Sequence, residues 1–135
     1  MLNKLFGTKS QDLHFGAVNV YKGDSPSTFI IEKIITFGPF QRIALYLENE
    51  TSSSTQLQID HYNLISKRAQ DIIDEVSDKY FKEYNSILLN DYALEFITLN
   101  QDSIDWDLSF LRKGGFEYCI AEYTEMELKS IYFSA

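Results

Sequence analysis

The chain has 135 residues, with twenty acidic and twelve basic side chains, a formal net charge of −8 and one cysteine. That length fits one domain, residues 1–135, which can bury roughly two thirds of its unfolded surface without a disulfide staple. The charge opposes a phosphate backbone, the lone Cys119 excludes an internal disulfide, and MLNKLFG has no apolar run of signal or membrane-spanning length. The expectation is therefore a soluble cytoplasmic protein that binds neither nucleic acid nor membrane.

In chain order, HFGAVNVYKG and STFIIEKIITF read as strands. β-branched and aromatic residues dominate both, and Gly23, Ser25 and Pro26 separate them. FQRIALYLENE follows, with Ile43, Leu45 and Leu47 alternating against Arg42, Ala44 and Tyr46, as in a strand with one buried face. These N-terminal strands span about 14–48. The polar ENETSSST ends the run and offers Ser54 or Thr55 as a helix N-cap.

From about 56 to 84 the period becomes helical, with Tyr62, Ile65, Ala69, Ile72, Ile73, Val76 and Tyr80 on one side. The opposite side carries Lys67, Arg68, Asp71, Asp74, Glu75, Asp78 and Lys82, so one long amphipathic helix needs a sheet to cover its dry face. Next, NDYALEFITLNQ is expected to hold a turn of helix near 91–95 that runs into a strand near 96–99. A C-terminal strand meander then extends from about 96 to 133.

Within that meander, DSIDWDLSF places Ile104, Trp106, Leu108 and Phe110 on one side of an extended chain and Asp105, Asp107 and Ser109 on the other. Trp106 is thus expected in the core. Gly114 and Gly115 mark a hairpin whose loop length decides what FEYCIAEY buries. A three-residue loop, 113–115, pairs Phe110 with Tyr118 and Leu108 with Ile120; a two-residue loop pairs them with Cys119 and Ala121 instead. The first buries more apolar area and is the expectation. It leaves Asp105, Asp107, Ser109, Glu117, Cys119, Ala121 and Tyr123 on an outer face.

Chemistry is sparsely marked. Asp105 and Asp107 project roughly 6.8 Å apart along a strand, but a flat wet face gives two carboxyls no reason to separate their pKa values. The close-spaced Asp/Asn run with central glycine that builds a calcium loop is absent, as is any phosphate-binding glycine pattern. His14 and His61 have no ligand spacing and read as surface or capping residues, and Cys119 reads as an inert packing residue. No catalytic residue, metal site or cofactor is expected. Acidity is concentrated instead: residues 1–54 hold five acids and five bases, 55–89 six and four, and 90–135 nine and three.

The order LNKLFG, HFGAVNVYKG, two further strands, a long helix opening with QIDHYNLI and a C-terminal meander resembles a group of small acidic bacterial domains. Some of these are encoded as immunity proteins beside polymorphic toxins. The likeness is one of layout over most of the chain and brings no catalytic motif. It implies a protein partner, a basic effector or toxin, met by an acidic surface. Candidate contacts are Asp105, Asp107, Glu117 and Tyr123, then the helix acids Asp71, Asp74 and Asp78. The alternatives are a small-ligand binder or enzyme, or an oligomerisation or housekeeping module. The expected fold is α+β, an antiparallel sheet of N- and C-terminal strand blocks with the long helix across one face.

Overall fold

The period-two segments become strands of one sheet, because only extended chain puts their apolar residues on a common side. The computed structural model describes residues 7–23 and 27–135, so the expected turn residues Ser25 and Pro26 lie outside the described part. The strands are β1 (Thr8–Asp12), β2 (Gly16–Lys22), β3 (Phe29–Phe37) and β4 (Phe40–Asn49), then β5 (Tyr92–Leu99), β6 (Asp105–Arg112), β7 (Tyr118–Thr124) and β8 (Glu127–Ser134). Between the two blocks lie α1 (Gln56–Lys67), α2 (Ala69–Tyr84) and α3 (Leu88–Asp91).

Spatial order equals chain order across the eight strands. Every neighbouring pair is antiparallel except β4 and β5, which run parallel. The parallel pair departs from the all-antiparallel expectation for a simple reason. A helical crossover returns the chain to the end at which β4 began, whereas a hairpin would reverse it.

The expected single helix is two. Thr55 caps α1 in a capping box, its hydroxyl accepting from the Gln58 amide while the Gln58 side chain accepts from the Thr55 amide. At Arg68 (φ −111°, ψ 20°) the helical dihedrals are lost, and its amide bonds back only to Ile65. No glycine or proline marks the break, and Ile65 and Ala69 are both buried across it, so the apolar period reads straight through. α3 ends where the expected helical turn was to begin, and 92–95 are already strand. The cause is a β-bulge: Leu94 pairs with Phe110 and Phe96 with Ser109, leaving Glu95 extra. Buried Tyr92, Leu94, Ile97 and Leu99 are thereby spaced two, three and two apart, which disguises the strand.

The helices and the inner side of the sheet share one core, in which Ile31, Leu45, Leu47, Ile97 and Leu108 meet Ile65, Ile73 and Val76. Trp106 lies in it as expected, 2% exposed, stacked on Tyr123 at 4.5 Å and donating from Nε1 to the Glu125 carbonyl at 2.5 Å. Ile104 does not; it precedes β6 and is 44% exposed.

The β6–β7 register also reverses the expectation. Phe110 pairs with Cys119, Leu108 with Ala121 and Trp106 with Tyr123, across a turn closed by bonds from Arg112 N to Glu117 O and from Gly115 N to Arg112 O. Cys119, Ala121 and Tyr123 are therefore core, and Tyr118 and Ile120 face outward. Counting buried area on one face misled because both faces of this hairpin bury apolar side chains. Small Cys119 and Ala121 fit opposite bulky Phe110 and Leu108 beneath the helices, while Tyr118 packs on Phe96 at 5.7 Å on the far side.

Candidate functional site

The far side of the sheet presents a groove of about 860 Å³ lined only by strand residues. Its floor follows from pairing: Glu32 of β3 opposes Tyr46 of β4, and Ala44 opposes Phe96 of β5. Tyr46 and Phe96 meet edge-to-face at 5.4 Å, and Phe96 meets Tyr118 in the same manner, giving a ladder of three rings. Ile30 and Ile34 border it on β3.

Charge enters at the rims. Glu48 lies beside Ile30 across the β3–β4 pair. The β5 bulge turns Glu95 to the groove, where burial and the Glu95 carboxylate raise the Tyr118 phenol above its usual range. At the other end a second bulge places Arg42 of β4 in left-handed backbone, φ 59°, a conformation that disfavours any side chain. Both irregularities thus aim a charged side chain at the groove's edge.

Glu32 is 8% exposed, a carboxylate set into the groove wall. It accepts from the Tyr21 hydroxyl at 3.2 Å and from Asn19 Nδ2 at 3.3 Å, and it lies opposite Tyr46 across the β3–β4 pair. Burial, followed by the Glu32 charge and hydrogen bond, raises the Tyr21 and Tyr46 phenols above their usual range, so both remain donors. No Lys, Arg or His pairs with Glu32, Glu48 or Glu95 among the described residues.

The expected contact residues fall in four places. Asp107 continues the groove's row of cross-strand neighbours, Tyr46, Thr98, Asp107 and Glu122. Burial, then Glu122 and Glu48, push its carboxyl up to about 6. Asp105 projects the same way but is exposed and accepts from the Thr124 hydroxyl at 3.0 Å. Glu117 lies at the hairpin end, accepting from the Tyr92 hydroxyl at 2.5 Å and standing 3.9 Å from Arg112. Asp71, Asp74 and Asp78 line a separate depression of about 540 Å³ beside Leu128 of β8. Tyr123 is not at the surface: it is 1% exposed and donates to Glu75 at 2.6 Å.

The two aspartates that flank Trp106 therefore have different surroundings, and no cluster suited to a metal occurs among the described residues. His61 is buried rather than a surface or capping residue. Its ring meets Trp106 edge-on at 5.5 Å, neither ring nitrogen has a hydrogen-bond partner among the described residues, and burial lowers its pKa. The Cys119 thiol is buried and pushed up to about 12 by that burial, which makes it inert at neutral pH. His14 stays exposed, edge-on to Phe15.

Among the groove residues, Glu32, Glu95, Phe96 and Tyr118 carry no obvious mark in sequence. The one available signal was an acid inside the apolar run FIIEKIITF. Comparisons with protein-family models, with curated proteins and with solved structures find no match.

Proposed function

We propose that this chain is a protein-binding domain, an immunity-like inhibitor that covers a basic effector or toxin with an acidic surface and catalyses no reaction. The observation that carries this reading is the sheet face opposite the helices, open among the described residues, with an aromatic floor rimmed by carboxylates, on a chain of net charge −8. Aromatic centres with charged rims are what protein interfaces favour, and a negative field speeds capture of a cationic partner. Localisation in the cytoplasm belongs to the same proposal; among the described residues, no helix is long and apolar enough to cross a membrane.

The test is association with the product of the adjacent gene, measured by surface binding between about 0.05 and 0.5 M salt, over which screening shortens from beyond 10 Å to a few Å. The expected result is capture whose on-rate falls with salt. Capture that ignores salt, or a neighbour unrelated to any toxin in every genome carrying the gene, removes the reading.

One observation favours a second reading, a small-ligand binder. A groove of about 860 Å³ with an aromatic floor is within the size range of ligand sites. A thermal-shift screen with small aromatic cations separates the two: stabilisation by a neutral or cationic small molecule, without protein capture, favours this alternative.

A further inference from the structure

Resting on the protein-binding reading, we infer that the groove receives an arginine side chain of the partner, with Glu32 as its anionic anchor. A carboxylate held out of water is costly unless a cation or several donors compensate it. Among the described residues, Glu32 accepts from neutral donors, the Tyr21 phenol and the Asn19 amide, which fix its orientation, and no Lys, Arg or His pairs with its charge. Such a group is pre-organised for a cation from outside the chain.

The surroundings select which cation. The Tyr46 and Phe96 rings lie in the same wall, and a guanidinium stacks on aromatic faces while forking to carboxylates; an ammonium does so less well because its hydration is tighter. Glu48 and Glu95 at the rims extend the negative field, and against these three acids the groove carries one basic residue, Arg42, at its end. Charge complementarity and an aromatic floor therefore point to a protruding arginine on a basic surface, rather than to an apolar peptide or a second copy of this acidic chain.

The experiment titrates isotope-labelled protein with three capped tripeptide amides, tri-arginine, tri-lysine and tri-citrulline, following amide shifts. The expected result is that tri-arginine shifts β3, β4 and β5 amides around Glu32, Tyr46 and Phe96, that tri-lysine binds several-fold more weakly, and that tri-citrulline is silent. Glu32→Gln keeps an acceptor for Tyr21 but removes the charge, and should weaken tri-arginine at least tenfold. Asp60→Asn, the same charge change on exposed α1, should leave it within about twofold.

Shifts that centre on Asp71 and Asp78 of α2, equal affinity in Glu32→Gln, or no binding by the parent would overturn the inference. Should Glu32→Gln fail to fold, Glu48→Gln takes its place and the parent's shift map still decides. The two readings fail separately. Effector capture that survives Glu32→Gln overturns the groove and leaves protein binding standing, whereas tri-arginine binding without effector capture overturns the protein-binding reading.

Discussion

Asp107 is the residue whose chemistry departs furthest from a surface carboxylate. It lies between Thr98 and Glu122 on the face opposite the helices, makes no side-chain hydrogen bond among the described residues, and is pushed up to about 6 because burial and two neighbouring acids disfavour its charge. A folded pKa above the unfolded value of about 3.9 means that the native state binds the proton more tightly. Stability should therefore be highest below about pH 4 with respect to this group, fall as pH rises through 6, and change no further above it. Asp107→Asn removes the penalty. It should be more stable than the parent by about 1–2 kcal/mol at pH 8 after discounting for partial exposure, with the difference gone by about pH 4. Urea midpoints at the two pH values check this, and an equal gap at both would mean that the carboxyl is solvated.

At the scale of elements, the N-terminal hairpin is tied to the start of the helices by one side chain. Asp12 ends β1, and its Oδ1 accepts from the His14 and Phe15 amides, which shapes the β1–β2 turn. The same carboxylate accepts from the amide and hydroxyl of Ser54, immediately before the α1 cap. Burial raises the Asp12 pKa, but the donors from Ser54, Phe15 and His14 outweigh it and hold it below the usual range. The folded value is thus below the unfolded one, so this contribution is complete above about pH 4 and lost as pH falls through the lowered pKa. Asp12→Ala should cost about 1–3 kcal/mol at pH 7, since several donors lose their acceptor. Denaturant midpoints should show that cost shrinking in strong acid, and fraying confined to β1 and β2 would appear as faster amide exchange there. The short polar TKSQD is a strand through pairing at the sheet edge, not through its own β propensity.

For the whole molecule, the acidic excess is spread over several surfaces. Asp105, Asp107 and Glu117, expected on one docking face, have separate environments, so changing all three to lysine is not a pure surface substitution. Asp105→Lys alone should shift stability by no more than about 0.5 kcal/mol. Glu117→Lys removes the acceptor of the Tyr92 hydroxyl and sets a second cation beside Arg112, and should cost about 1–2 kcal/mol. Chemical denaturation of the single variants distinguishes these outcomes, and equal losses for both would contradict the placement of Glu117. Tyr92 is pushed up to about 12 by burial and by the Glu117 bond, which keeps its hydroxyl a donor at neutral pH.

Local periodicity by itself determined what depends on neighbours in sequence. The helical stretch and its dry face, the alternation of β4 and the burial of Trp106 follow from spacings of two, three and four residues within one segment, and the polar run before the helix narrowed the cap to Ser54 or Thr55. The break at Arg68, the bulges at Arg42 and Glu95 and the outward turn of Tyr118 required the tertiary structure. The bulges and the turn of Tyr118 depend on how two faces of a shared sheet fill at once, and no single strand records that. The groove belongs to the same class: Glu32, Tyr46, Phe96 and Tyr118 lie on four strands, and the parallel β4–β5 junction that joins the two blocks forms only when the helical crossover has closed.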